Sequence, residues 1–326
     1  MKYYIAWWNL ENLFDIEDST DRPDWLQKKL KRELAGWDVS VLDKKISNLA
    51  SIIKQMNENN GPDLLGVCEI ENKTVLEKLA TAINMPGRDY AVVHSNTEDA
   101  RGIDVAFIYD HNIFKKPAES DVFNHVVLKR NATRDIVQVN FKTQTNSPSD
   151  LIVIGNHWPS RLGGNIESEP YRIIAAETMS YWIERIGEYF DQEVPIIVMG
   201  DFNDEPFNRS ITDYALGIRD SSRVKSKRSR KPYLLNLMWK LQHENHGTHY
   251  YGGWGILDQI LVNRPLLRNE GDLNLVEDSC KIFIRPQMQK SSKPRRFGRP
   301  SKKSQFDPEG YSDHFPVIVK IENKSA

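Results

Sequence analysis

Apolar residues in this chain come in short runs, and several runs close on a polar, chemically capable side chain. Tyr3–Trp8 alternates loosely, is rich in aromatics and ends on Asn9, which predicts a strand over 3–9. Residues 11–38 are polar and charged, with Pro23 and Gly36, and read as a long connection. Ile46, Leu49, Ile52, Ile53 and Met56 recur at helical spacing, predicting an amphipathic helix over 41–57 that Asn59-Asn60-Gly61-Pro62 stops. A buried strand over 63–70 and a helix over 72–83 follow. From 89 to 158 the pattern changes to short strands, over 89–95, 103–110, 121–128, 134–142 and 150–158. A long helix over 169–190 precedes an apolar strand over 195–200. Strands near 256–263, 273–284 and 314–321 complete the chain. Two clusters of helices around antiparallel-looking strands predict an α/β fold of two packed sheets with helices outside, forming one domain over 1–326.

Charge adds a second pattern. The net charge is −1, yet residues 219–232 hold seven Lys/Arg and one Asp, and residues 281–303 hold nine Lys/Arg and no acid. The other 289 positions carry 28 basic and 44 acidic residues. An acidic body with two basic loop insertions predicts a polyanionic partner, because such blocks are solvated and attract phosphate. Both insertions are expected to flank the site, one following Asp201 and the other preceding Ser312. No run approaches the about 18 apolar residues of a membrane span, and the short aromatic N-terminus does not read as a signal peptide. Two well-separated cysteines, Cys68 and Cys280, do not suggest a disulfide framework, so a reduced, cytoplasmic setting is expected.

Six places look chemical. Asn9 follows the first strand. Glu69 closes Asp63–Cys68, where a carboxylate needs a cation or several hydrogen bonds to justify burial. His157 closes Leu151–Asn156. Asp201 and Asn203 lie in Gly200-Asp201-Phe202-Asn203 after Ile196–Met199, and Asp258 follows Gly255-Ile256-Leu257. Asp313 and His314 lie in Ser312-Asp313-His314. Singly, an Asp at a strand end also suits a helix cap and a lone His a structural role. Recurring at the edge where open α/β sheets carry their chemistry, they suit metal-assisted phosphoester hydrolysis.

In this order the set Trp8-Asn9, Glu69, His157, Gly200-Asp201-Phe202-Asn203, Asp258 and Ser312-Asp313-His314 resembles the endonuclease/exonuclease/phosphatase (DNase I-like) superfamily over nearly the whole chain. Arg101-Gly102-Ile103-Asp104-Val105-Ala106 and Asn156-His157-Trp158-Pro159-Ser160-Arg161 most resemble a bacterial branch of predicted nucleases. The resemblance implies a four-layer α/β sandwich of two mixed sheets flanked by helices. It implies that Glu69 is the principal ligand of Mg²⁺ (or Mn²⁺), with Asp313 and Asn9 beside the metal. His314 with Asp258 resembles the family's His–Asp couple. Asp201 would orient or deprotonate water or protonate the leaving group, Asn203 would hold the phosphate, and His157 would donate to the phosphate or leaving oxygen. Arg101 and Arg161 suit phosphate clamps, and Arg101 equally suits an ion pair with Asp104 or another acid.

The basic insertions favour a nuclease acting on nucleic acid, DNA before RNA. Trp254 lies near Asp258 where AP endonucleases carry a pocket tryptophan, but the spacing is one residue longer. A phosphatase or phosphodiesterase acting on a small or lipid-linked ester would use the same core, although no amphipathic basic helix suggests membrane insertion. A non-catalytic nucleic-acid-binding module is disfavoured because every expected position is filled.

Overall fold

In the computed structural model, which describes all residues except 98, 129–132, 162, 244, 269–270 and 324–326, two seven-stranded mixed sheets pack face to face. The first runs in the order Leu273–Leu275, Val317–Asn323, Lys2–Leu13, Leu64–Ile70, Asp104–Asp110 and Tyr90–His94, with Lys281–Ile282 also paired to Val317–Asn323. The second runs Val122–His125, Ile136–Lys142, Asp150–His157, Ile196–Asp201, Asp258–Val262, Leu234–Asn236 and Gly217–Ile218.

The two-residue period of the first strand assigns its faces. Tyr3, Ile5 and Trp7 point inward and meet Val153, Ile197, Met199 and Ile260 of the other sheet. Tyr4, Ala6 and Trp8 point outward beneath the helices Val39–Ile53 and Lys73–Ile83, through Leu49, Ile53, Leu76 and Leu79. On the far side, Ala176, Met179 and Ile183 of the helix Asn165–Phe190 cover Ile152, Ile154 and Val198. The result is helices, sheet, sheet, helix. Each fully buried aliphatic or aromatic side chain contributes about 1.5–3 kcal/mol of transfer free energy. Close approach at the centre depends on Gly66, where a Cβ would lie 2.7 Å from the Trp7 ring and 2.8 Å from Met199 Sδ. Among the described residues no helix is long and apolar enough to cross a membrane.

Several boundaries depart from the sequence pattern. The first strand continues to Leu13 through a register shift beyond Asn9, with Glu11 and Asn12 in left-handed backbone (φ 52° and 57°). The connection over 11–38 also contains a helix, Asp24–Leu30. Its Leu26 and Leu30 cluster with Trp37 and with Phe297 from the second basic insertion. The single strand expected over 273–284 is two pieces, one opposite Ile321–Asn323 and one opposite Val317–Ile318.

The basic insertions differ most from expectation. Of residues 219–232, Arg219 lies over Trp239, while Val224, Ser226, Lys231 and Pro232 lie at the end of the second sheet opposite Asp201. There Lys231, Pro232 and Tyr233 line a cavity with Val194, Ile196 and Asn263, and Arg264 donates to the Ser226 carbonyl. Residues 281–303 do reach the site edge, but much of their charge is paired inward. Arg295 forms two bonds to Asp307, Arg296 bonds Glu11, and Arg299 bonds Glu33 and Asn12.

Candidate active site

Three adjacent strands of the second sheet place His157, Asp201 and Asp258 on one rung. His157 is the parallel partner of Asp201, and Asp258 its antiparallel partner, so all three side chains leave the same face. His157 and Asp201 end their strands, whereas Asp258 begins its own and His314 precedes Val317–Asn323. The site therefore collects the ends of parallel strands and the beginnings of antiparallel ones.

Asp201 is central and almost wholly buried. Its Oδ1 accepts from the Asn203 backbone N–H (2.9 Å) and its Oδ2 from Asn9 Nδ2 (3.1 Å). The same Oδ2 lies 3.8 Å from His157 Nε2 and 3.9 Å from His314 Nε2. Burial pushes this carboxyl up to about 6; the His314 charge opposes the rise, and the charges of Asp258 and Glu69 add to it.

His314 Nδ1 meets Asp258 Oδ2 at 2.6 Å. Trp7 Nε1 donates to the other Asp258 oxygen at 3.1 Å, so this fully buried carboxylate has a partner on each side. Burial alone would lower the imidazole, but Asp258 and Asp201 outweigh it and hold His314 well above its ordinary value. Trp8 Nε1 bonds the His314 carbonyl, and Ser312 Oγ accepts the His314 N–H while donating to the Asn9 carbonyl. His157 behaves oppositely: burial and then the charges of Arg134 and Arg101 hold it well below its ordinary value.

Glu69 occupies left-handed backbone (φ 62°) at a register break in its strand, a conformation that costs energy for a non-glycine residue. The kink turns its carboxylate toward the rung, where Oε2 accepts from Asn12 N–H (3.0 Å) and Oε1 lies 3.6 Å from His157 Nε2. Asp313 is half-buried, with Arg296 Nη2 3.6 Å away. Burial opposes its ionisation, yet His314, His249, Arg296 and Lys45 hold it below the carboxylate range. Among the described residues, His249, Asp313 and His314 form the group of three whose ligating atoms lie within 4.8 Å of one another. Burial and the charge of His314 push His249 down to about 4.

Three of the expected site residues have partners within the fold. Asn9 Oδ1 accepts from the Glu11 N–H while its amide holds Asp201, so the residue links the two sheets. Asn203 Nδ2 donates to the Trp158 carbonyl (3.0 Å), which fixes the loop after Asp201. Arg161 donates from Nε to the Asn203 carbonyl and from Nη2 to Asp204 (3.3 Å), with Glu205 3.9 Å from Nη1, so its guanidinium is tied to the loop after Asp201. Arg101 has its nearest acid in Asp99 (4.0 Å), and Asp104 is bound to Thr97 and His94.

Sequence pattern passed over Trp7, His249 and Arg134, the last of which acts on His157 through its charge. For Trp7 a signal exists, since a buried indole N–H requires an acceptor. For His249, joined to His314 by a backbone bridge and ring contact (centroids 4.5 Å apart), the local sequence holds none.

The family model described as "Endonuclease/Exonuclease/phosphatase family" matches residues 4–323. No curated protein matches. Among solved structures, an endonuclease/exonuclease/phosphatase family protein from Bacteroides thetaiotaomicron is similar at 15% identity and TM-score 0.54, covering 98% of this chain and 97% of that one. The mannosyl-6-phosphatase Bt3783 of the same organism is similar at 15% identity and TM-score 0.52, covering 98% and 99%. ANGEL2, a 2′,3′-cyclic phosphatase in complex with adenosine-2′,3′-vanadate, is similar at 12% identity and TM-score 0.58, covering 98% and 95%. At these identities the structural likeness concerns the fold.

Proposed function

Because the chain belongs to the endonuclease/exonuclease/phosphatase family and is a phosphoester hydrolase, we propose that it is a divalent-metal-dependent nuclease cleaving phosphodiester bonds of DNA or RNA at the Asp201 edge. The observation that carries this reading is the convergence of Asn9, His157 and His314 on one oxygen of Asp201, backed by Asp258.

The donor set suits Mg²⁺ or Mn²⁺, which prefer carboxylate oxygen. Glu69 and Asp313 would hold the ion, and a cation there would offset the burial, and the lesser Asp258 and Glu69 charges, that raise Asp201. When bound, the ion polarises the phosphoryl group and acidifies water. The chain's own groups do the rest. Asp201, once ionised, accepts the proton of the attacking water. His314, kept protonated and oriented by Asp258, donates to a phosphoryl oxygen on which charge develops. Neutral His157 presents Nε2 to the same space, where it can hydrogen-bond the leaving oxygen, which takes its proton from solvent. Asn9 and Asn203 are positioning residues for Asp201 and its loop.

Lys293, in the hairpin Gln289–Lys290/Lys293–Pro294, supports a nucleic-acid substrate, whereas Lys290 beside it lies 3.6 Å from Asp307. Lys293 lies over Tyr250, 3.9 Å from the ring centroid, and Tyr251 beside it is exposed, a pairing of cation and aromatic that suits an unpaired strand. The inward pairing of the other cations favours a second reading, a phosphatase of a small ester. Supercoiled plasmid, single-stranded DNA, RNA, bis-p-nitrophenyl phosphate and p-nitrophenyl phosphate, each with Mg²⁺, Mn²⁺ or EDTA, test both. Metal-dependent cleavage of a polynucleotide is expected. Turnover of the monoester alone would establish the second reading, and no turnover of any substrate would defeat both.

A further inference from the structure

Two cations of the first basic insertion, Arg219 and Lys225, line a cleft that the catalytic row does not use. The cleft has a volume of about 500 Å³ and opens on the side of the sandwich. One wall is Leu275 of the edge strand Leu273–Leu275 in the first sheet, with the residues that follow it to Lys281. The other is Leu235 and Asn236 of the second sheet, with the turn Leu237–Leu241. Leu266 and Leu267, in the helix Arg264–Arg268 that precedes the edge strand, complete the lining.

The body of the cleft is hydrocarbon. Leu235, Leu237, Leu241, Leu267 and Leu275 pack against the central core yet stay only partly buried. Folded interiors close up such space, whereas sites for small molecules keep about 300–1,000 Å³ of it. The polar groups are mostly donors. Trp239 Nε1 is buried and has no hydrogen-bond partner among the described residues, although a buried indole N–H ordinarily finds one. The Arg219 guanidinium lies over the same indole, 5.7 Å from the ring centroid. Lys240 is paired with Asp278 at 2.8 Å, which leaves Arg219, Lys225 and Lys281 against Glu277 among the described lining residues. A cationic ligand would meet excess positive charge here, and a sugar would bury hydroxyls against leucine.

We propose that this cleft binds an unbranched aliphatic carboxylate, its chain among the leucines and its head group on the Trp239 N–H and Arg219. Such an amphipathic anion supplies the indole with an acceptor, pairs the guanidinium and removes the leucine faces from water. It also gives cations of the first insertion a role away from the Asp201 edge. The site does not depend on the phosphoester-hydrolase reading, since Asn9, Glu69, Asp201 and His314 are not among its lining residues.

Equilibrium dialysis of the full chain in EDTA against octanoate, decanoate or decanol, each below its micelle or solubility limit, tests this without turnover. One-to-one binding of decanoate is expected, about tenfold tighter than octanoate because two more methylenes leave water. Decanol should bind about tenfold more weakly than decanoate, having no charge to pair. Arg219→Gln removes the guanidinium, and Trp239→Phe removes the N–H while keeping a ring. Each should weaken decanoate about fivefold and leave decanol unchanged, with unchanged circular dichroism. No retention of decanoate at millimolar concentration would overturn the site. Equal affinities for decanol and decanoate would overturn the anionic head group. Undiminished decanoate binding in whichever of the two variants folds would overturn its placement on Arg219 and Trp239.

Discussion

His314 and Asp258 meet across the two sheets at 2.6 Å, and Trp7 holds the far oxygen of the same carboxylate. The couple fixes both the tautomer and the charge of the imidazole, since a buried carboxylate is the largest influence raising His314. Asp258→Asn should therefore lower kcat by about 10²–10⁴ with a smaller change in KM, by analogy with the loss of an orienting aspartate elsewhere. Steady-state rates with a melting curve for each variant check this. A kcat within threefold of wild type would mean that the couple does not orient a reacting group.

Asp201 makes an opposite demand on stability. Its folded-state pKa of about 6 lies above the usual unfolded aspartate value, so the metal-free fold binds this proton more tightly than the unfolded chain does. Stability from this group is fully present below the unfolded value and is lost as pH rises through about 6. Asp201→Asn should then stabilise the metal-free protein at pH 8 by on the order of 2 kcal/mol, with the gain fading below pH about 4. Turnover should be abolished in the same variant. Thermal melts in EDTA from pH 4 to 8 decide it, and a variant no more stable than wild type at pH 8 would show that the carboxylate is not under strain.

Glu69 should report on the cation. Glu69→Gln keeps the acceptor that bonds Asn12 but removes the charge, so the fold is expected to persist while the Mg²⁺ needed for half-maximal activity rises at least tenfold. Activity titrated against metal concentration measures this directly. An unshifted metal requirement would place the ion elsewhere, with His249, Asp313 and His314 the next group to vary.

The two basic insertions should behave differently. Replacing Arg223, Lys225 and Arg228 by Ser should leave KM for DNA unchanged, because that insertion sits at the far end of its sheet. Lys293→Ala should raise KM severalfold, since this cation flanks the site with no acidic partner among the described residues. With about four phosphate contacts remaining, log K against log salt should slope near −3. A slope near −7 would mean that both insertions engage the backbone.

The strands and their polar endings were legible because a two-residue period and a capable last residue are both local signals. Asn9, Glu69, His157, Asp201, Asp258, Asp313 and His314 could be named for that reason, and the structure brings them to one edge. The insertions could not be read that way. Whether Arg296 faces solvent or Glu11 depends on a contact between residues 285 positions apart, which no local pattern encodes. The partners of Arg161, Asp204 and Glu205, share a loop with the candidate site itself. Arg134 lies in a stretch that reads as ordinary strand. Its bond to the Trp158 carbonyl and its pairing with Asp99 are visible only in the folded chain.

The shared rung of His157, Asp201 and Asp258 separates what may drift in this lineage from what may not. A single-residue deletion inside any of the three strands would swing its side chain to the opposite face and dismantle the edge. Lengthening or replacing the stretches between them moves none of the three. Descendants can therefore exchange loops, and with them substrates, while inheriting the same row of groups; engineers wishing to redirect the enzyme have the same freedom and the same prohibition.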